Sequence, residues 1–449
     1  MSDVHYAVVD PSSGELVSEY TTHTDEEISQ AIASADQAFR SWGRHGSVED
    51  RAELLRKVAA LHIERRDEFA SIINREMGKP VEMALFEIDF SASIYTYYAS
   101  HAATFLADQE LPLLAGEGSA VLRREPLGVL LGIMPWNFPA YQVARFAAPH
   151  LAAGNTMLLK HAPQCPESAA LLQTMFRDAG FPEGAYVNVY GTHAQVETII
   201  ADRRVQGVSL TGSERAGSAV AEIAGRHLKK VVLELGGSDP VIVLSTDDMA
   251  ATVEDAAQAR IAGNAGQACN AGKRVIVHES IYGEFVQKFT ERMVGAPAVP
   301  LSSAGAAERL EQQVREAVAQ GAELAAAGER HGAWYPTSVL TGIAGGEDAS
   351  QEELFGPVAM VFKVASEEEA ITVANDTPYG LGSYVFTTDP KQARRVAEQI
   401  DAGMVIINGV YATGAELPFG GVKRSGYGRE LGALGIDEFV NKKLIRTVR

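Results

Sequence analysis

The spacing of hydrophobic residues along this chain changes character at about residue 129. Upstream of that point it is mostly helical. Short strands are predicted over residues 1–20, turning at Pro11-Ser-Ser-Gly14. Thr24 followed by Glu27 has the form of a capping box, in which each side chain satisfies a free backbone N–H. Ile28, Ile32, Ala35, Phe39 and Trp42 then recur at helical spacing. A second helix is predicted from about Val48 to Met77, ended by Gly78-Lys-Pro80, and a third from about Val81 to Leu106. Tyr95, Tyr97, Tyr98 and Phe105 in the third read as core or pocket wall. Over residues 107–128, Gly116 and Gly118 separate short apolar pieces, which predicts a β-hairpin leaving the main body.

From Val129 the pattern turns regular. Apolar runs of strand length occur at 129–134, 156–160, 186–190, 205–210 and 230–235. Helical patterns fill the gaps at about 139–153, 166–179, 193–201 and 214–228. This alternation predicts a parallel sheet covered on both faces, with ligands at the carboxyl ends of its strands. Pro135-Trp-Asn-Phe, Lys160, Thr211-Gly-Ser213 and Glu234-Leu-Gly-Gly237 fall at those ends. Thr211 to Gly217 is not a G-x-G-x-x-G fingerprint. It opens a helix with small residues, and the free N–H groups of a helix start suit a phosphate. A second α/β segment begins near Gly237, with strands at Val241 to Leu244, Arg274 to His278, Val358 to Val364, Gly382 to Phe386 and Val405 to Asn408. Its helices fit about 247–262, 280–294, 304–320, 366–375 and 390–400. Leu417 to Gly428 is glycine-rich and irregular, as loops that line sites often are. Phe439 to Val448 predicts a last strand that joins the hairpin in an interaction surface.

Composition narrows the picture. A chain of 449 residues is expected to divide into two or three domains. Its net charge of −19 argues against nucleic acid and anionic membranes as partners. Two cysteines cannot form a disulfide framework, which fits a reducing cytoplasm. The first residues show no basic or apolar export signal, no apolar run reaches the ~18 residues of a membrane span, and no metal-ligand spacing is visible.

One of the two cysteines, Cys269, sits in Asn264-Ala-Gly-Gln-Ala-Cys-Asn-Ala-Gly-Lys-Arg274, among Gly263, Gly266 and Gly272. Lys273 and Arg274 would favour the thiolate, so the loop can hold a nucleophile. It can equally hold a buried structural thiol. The loop alone leaves both open.

The motifs P-W-N-F-P (135–139), T-G-S (211–213), E-L-G-G-S-D-P (234–240), N-A-G-Q-A-C (264–269), E-E-L-F-G-P-V (352–358) and P-F-G-G-V-K-R-S-G-Y-G-R-E (418–430) occur in this order. With them the chain resembles the aldehyde dehydrogenase superfamily nearly end to end. Lys160-His-Ala-Pro163 and Arg424 to Glu430 look most like the bacterial succinate-semialdehyde dehydrogenase group. The resemblance implies an α/β fold with a Rossmann-like cofactor domain, a second α/β catalytic domain and a small β oligomerisation element. The expected spans are 1–109 with 129–235, then 236–436, then 110–128 with 437–449. It implies that Cys269 attacks the aldehyde carbon, and that the Asn137 amide and the Cys269 N–H form the oxyanion hole. Glu234 would be the general base for thioester hydrolysis. For the cofactor, NADP or NAD, it implies Trp136, Lys160, Gly212, Ser213, Glu353 and Phe355. Partners are then a small aldehyde and further copies of the chain, as homodimer or homotetramer.

Four features are particular to this sequence. Where many NAD-preferring relatives carry a glutamate that binds the ribose 2′-OH, this chain has Pro163, so a 2′-phosphate is not repelled, and Lys160 with His161 would favour NADP. Arg145 matches one position at which semialdehyde-specific relatives hold the substrate carboxylate, while two others are Thr96 and Gly263. Arg145 reads equally well as half of a structural ion pair. Residues 295–305 look shortened, with a surface effect expected. Cys165 reads as structural, and with Asn270 and Ala271 beside Cys269 no local disulfide switch is expected. Succinate semialdehyde is the lead substrate, with a broad aliphatic or aromatic specificity as the alternative. A CoA-acylating enzyme and a catalytically inactive homologue are the rivals.

Overall fold

Strands buried on both faces need helices above and below them, and two stretches of this chain supply both. The computed structural model describes residues 4–262, 264–343, 348–410 and 413–448. Gly263, and with it the expectation attached to that position, lies outside them. The first sheet runs, in spatial order, Lys230–Glu234, Val205–Thr211, Val129–Met134, Thr156–His161 and Tyr186–Asn188, all parallel. Val129–Met134 is therefore central, with the strand order reversing beside it. Pro135, Trp136 and Asn137 leave the sheet at its carboxyl end, which is where folds of this kind hold their ligands.

Helix Tyr141–Ala153 follows that turn and is buried at every position from Gln142 onward. It lies close to the sheet because Gly132 has no side chain. A Cβ there would stand 2.6 Å from the Phe146 ring.

The second sheet orders Glu323–Ala326, Ser338–Thr341, Val358–Val364, Gly272–His278, Asp239–Val243, Tyr384–Phe386 and Ile406–Ile407. The pattern of hydrophobic residues misses its first two strands. Glu323–Ala326 is an exposed antiparallel edge strand that carries only one large apolar residue, Leu324. The expected helix from Val48 to Met77 is two helices, Val48–Glu64 and Arg66–Met77, broken at Arg65 with φ −100° and ψ 20°. The Arg65 N–H still bonds Leu61 O, so one residue leaves helical dihedrals without disturbing the apolar spacing. Gly78, at φ 75°, ends the second of them as expected. The Thr24–Glu27 box closes in both directions.

The C-terminal loop returns to the first sheet. Gly426–Tyr427 pairs antiparallel with Lys230–Glu234, placing Gly426 opposite Glu234. Only glycine fits there, at φ 109°, because a Cβ would stand 2.0 Å from Leu233 O. Val440–Thr447, Ser119–Pro126 and Gln109–Glu110 form a separate three-stranded sheet. Leu444 on it is 60% exposed, with Ile445 beside it. Among the described residues, no helix is long and apolar enough to cross a membrane.

Asn155 joins this small sheet to the first large one. Its Oδ1 accepts the Leu127 and Gly128 N–H groups at 2.8 and 3.0 Å, and its Nδ2 donates to Phe439 O at 2.9 Å. Replacing it by leucine strips three backbone partners from a fully buried position. We expect Asn155→Leu to cost about 2–4 kcal/mol. The readout is a lower urea midpoint, and an unchanged midpoint would contradict this role.

Candidate active site

The Cys269 loop is held from several sides. Asn264, Ala265 and Gly266 take φ values of 75°, 53° and 73°, so the chain turns sharply as it leaves helix Met249–Ile261. Two of the three are not glycine, and such backbone persists only where neighbours hold it. Arg260, fully buried, donates to Gly266 O at 3.2 Å, to Val358 O and Leu354 O at 2.7 Å, and to Gly356 O. It thus ties the Cys269 loop to the segment that carries Glu353 and Phe355. Gln267 Oε1 accepts the Ser302 N–H at 2.9 Å. Leu301 and Ser302 are both buried, which corrects the expectation that residues 295–305 act only at the surface. Their short path brings a backbone N–H down to the nucleophile loop.

Cys269 itself is half-buried. Burial pushes its thiol up to about 12, against the pull of Arg145 and Lys273. Lys273 faces this loop and Arg274 does not. Arg274 donates to Ser238 O, Val373 O and Ala374 O, bracing the second sheet, so only Lys273 of the expected pair acts on the thiol. Gly237 gives the Cys269 carbonyl its room, since a Cβ there would stand 2.6 Å from that oxygen.

Asn137 meets the same loop. Its Nδ2 donates to Gln267 O at 3.0 Å, two residues before the thiol. A carboxamide nitrogen has two hydrogens, so one remains for a substrate oxygen. The turn that carries Asn137 is fixed by a buried ion pair that the sequence did not announce. Lys79 Nζ pairs with Glu87 and donates to Asn137 O at 2.8 Å. Glu87 Oε1 accepts the Ala140 and Tyr141 N–H groups at 2.8 and 3.0 Å, the open donors at the start of the next helix.

Glu234 is 1% exposed, and neither carboxylate oxygen has a hydrogen-bond partner. Burial, then the Glu430 carboxylate, holds it well above the usual range, while Arg145 and Arg429 pull it back. Gly420 packs directly on it, since a Cβ there would meet Glu234 Oε1 at 2.6 Å. Arg145 lies 2.6 Å from Glu430 Oε2, with its guanidinium 4.2 Å from the Phe419 ring centroid and 4.9 Å from that of Tyr141. Burial opposes the Arg145 charge, and Glu430, Tyr141, Glu234 and Cys269 together outweigh it. The ion-pair reading of Arg145 therefore holds. Its Nε nonetheless remains buried without a partner, so the guanidinium keeps donor capacity beside the thiol.

Gly212 faces open space, where a Cβ would meet only Leu210, at 3.6 Å. Ser213 caps helix Glu214–Arg226 by accepting from the Ala216 N–H, one of the open donors of that helix start. Lys160 is buried beside the Tyr6 ring, and burial lowers it to about 8. His161 is turned inward onto Pro139 O at 2.9 Å, and burial lowers it to about 4. It is thus neutral and inaccessible, which corrects its expected part beside Lys160. His193, which is exposed, feels the Lys160 charge instead, together with that of Arg215. Glu353 accepts the Gly237 N–H at 3.1 Å, and Gly236 leaves it room, since a Cβ there would come within 2.4 Å of its carboxylate. Trp136 and Phe355 meet edge to face, 5.8 Å between centroids. Cys165 is fully buried at the start of helix Pro166–Asp178, its Sγ 4.0 Å from Trp136 O.

The structure thus brings a thiol and an unpartnered carboxylate within electrostatic reach of one arginine, Arg145, with an amide donor bonded to the thiol loop. The sequence reading missed Lys79, Glu87 and Glu430 as parts of the site. Glu430 had a signal, as the last residue of the P-F-G-G…G-R-E motif.

The model of the aldehyde dehydrogenase family matches residues 1–445. The chain is 50% identical to the succinate-semialdehyde dehydrogenase [NADP(+)] of Deinococcus radiodurans, covering 98% of this chain and 94% of that one. It is 44% identical to succinate-semialdehyde dehydrogenase [NADP(+)] 1 of Mycobacterium tuberculosis, covering 98% and 99%. The succinic semialdehyde dehydrogenase of Streptococcus pyogenes, solved in complex with NADP+, superposes with a TM-score of 0.95 at 38% identity, covering 98% and 99%. The chain belongs to the aldehyde dehydrogenase family.

Proposed function

We propose that this protein oxidises succinate semialdehyde to the acid, with NADP+ as the favoured acceptor, through a thioester on Cys269. The observation that carries the reading is the buried Glu234 carboxylate without a partner, which shares Arg145 with a thiol loop tied to the Asn137 amide. A buried carboxylate left without a hydrogen bond is costly, and a base awaiting water is a reason to keep one. The relatives' names support the substrate and the acceptor.

In this mechanism Cys269 gives up its proton to solvent, the thiolate Sγ bonds to the aldehyde carbon, and the carbonyl oxygen takes the negative charge. The free hydrogen of the Asn137 amide and the Cys269 N–H stabilise that oxygen, a donor pair of which each member is commonly worth about 10²–10³ in rate. A nicotinamide held between Trp136 and Phe355 would supply the hydride acceptor that turns this adduct into a thioester on Cys269. Glu234 takes a proton from water as its oxygen attacks the thioester, and the Cys269 sulfur leaves. An intact Glu234 favours water over CoA as the acyl acceptor, and the intact Cys269, Asn137 and Glu234 argue against an inactive homologue. Residues that fit the cofactor are Gly212 and Ser213 for the pyrophosphate, Lys160 for the adenosine ribose and its 2′-phosphate, and Glu353 for the nicotinamide ribose. Trp136 and Phe355 would wall the ring. We read residues 1–109 with 129–235 as the cofactor domain and 236–436 as the catalytic domain. Residues 110–128 with 437–449 would be the oligomerisation element of a cytoplasmic dimer or tetramer. Exposed Leu444 and Ile445 on the three-stranded sheet support that last role.

Arg145 is the proposed partner of the substrate carboxylate, through the donors that Glu430 leaves open. Arg145→Met should raise KM for succinate semialdehyde by about tenfold or more, the worth of one charged hydrogen bond, and that for butyraldehyde far less. Equal changes for both aldehydes would remove it as the anchor.

For the acceptor, kcat/KM with NADP+ is expected to equal or exceed that with NAD+. Lys160→Ala should raise KM for NADP+ by about tenfold over its effect on NAD+. A wild-type preference for NAD+ of about tenfold, 1.4 kcal/mol, would refute the assignment.

A further inference from the structure

Lys273 has no part in the steps above, yet it is fully buried between the thiol loop and a cofactor contact. An ammonium has three donors. Two reach Ala268 O at 2.9 Å and Cys269 O at 2.8 Å. In the third direction lies Glu353 Oε1, at 3.3 Å. The same Glu353 oxygen accepts the Gly237 N–H. One cation therefore joins the backbone of the thiol residue to the carboxylate assigned above to the nicotinamide-side ribose.

We propose that Lys273 is a positioning residue that links occupancy of Glu353 to the reactivity of Cys269. The inference rests on the reading of Cys269 as nucleophile and Glu353 as ribose contact. In the free protein the Glu353 carboxylate offsets the Lys273 charge. Ribose hydroxyls that donate to Glu353 take up part of that carboxylate, and more of the Lys273 charge then acts on the sulfur. The carbonyl clamp is unchanged, so the effect is electrostatic.

Other charges face the same two groups. Arg145, from helix Tyr141–Ala153, favours the thiolate, while Glu353 and Asp239 oppose it, and Tyr141 lies within reach. Around Lys273, burial works against the charge, Glu353 and Asp239 support it, and Arg260 opposes it. Asp239 is itself buried and raised to about 7, chiefly by burial. Among these groups only Glu353 both touches Lys273 and is assigned to the cofactor, so it is the member that a ligand would engage.

The test reads thiol chemistry. Iodoacetamide modification of Cys269 is followed by peptide mass spectrometry from pH 6 to 10, with Cys269→Ala as the blank. The ligand is 2′-phospho-ADP-ribose, which carries the second ribose and lacks the charged nicotinamide ring. In the wild type, saturating ligand should move the pH profile down, by less than the unit or more that a whole charge gives, because the ribose hydroxyls are neutral. Glu353→Gln should show that lower profile without ligand and no further movement with it. Lys273→Met should react only at higher pH and lose the ligand response, and Lys273→Arg should regain part of it. An unmoved Glu353→Gln profile, or a full ligand response in Lys273→Met, would overturn the link. Glu353 also acts on the thiol directly, so should Lys273→Met fail to fold, Lys273→Gln, which keeps a donor for the two carbonyls, is read in its place. The reading beneath it fails separately: Cys269→Ala that still oxidises aldehyde would remove Cys269 as nucleophile, whatever the alkylation profiles show.

Discussion

Burying charge costs free energy unless a partner comes with it, and this protein buries several charges around one thiol. Lys79 with Glu87, Arg145 with Glu430, and Lys273 with Glu353 are each paired inside the molecule. Arg260 spends its guanidinium on backbone carbonyls instead. Each cation joins segments that are far apart in the chain. Lys79 fixes the turn of Asn137, Arg145 joins the helix after that turn to the C-terminal loop, and Arg260 and Lys273 tie the thiol loop to the segment of Glu353. The geometry of the site depends on these links more than on any one strand. The low-dielectric setting that makes them costly also makes a single fixed donor effective on a developing charge.

This setting has a consequence for the thiol. Burial alone would leave Cys269 protonated at neutral pH, since it is pushed up to about 12. The carboxylate of Glu234 is held up by the same cause. A thiol and a base both biased to their neutral forms suit a site that becomes reactive when ligands arrive. Lys273 is placed to carry part of that change.

Much of the fold was legible because its signals are local. Short apolar runs, helical spacing, the Thr24–Glu27 box and the glycine after Met77 each act within a few residues. The missed features act over long separations or leave no periodic trace. The break at Arg65 preserves the apolar spacing. Glu323–Ala326 is an exposed edge with little to bury. The Gly426–Tyr427 strand is recognisable only once it lies against Leu233. In the site, the motif residues around Cys269, Asn137 and Glu234 could be named from sequence. Their supports could not, because Glu87 in a sequence looks like any other glutamate, and Glu430, although it closes a motif, gives no sign there of its partner Arg145. His161 shows the converse error. It is polar and next to Lys160, but a strand residue points opposite to its neighbour, and this one points into the core.

The central claim is that an acyl group passes through the sulfur of Cys269 and leaves with the help of Glu234. Trapping that intermediate tests it most directly. Glu234→Gln, mixed with succinate semialdehyde and NADP+ and quenched in acid, should yield one equivalent of NADPH in a burst and a succinyl thioester on the Cys269 peptide by mass spectrometry. A burst without that adduct, or an adduct on any other residue, would contradict the account.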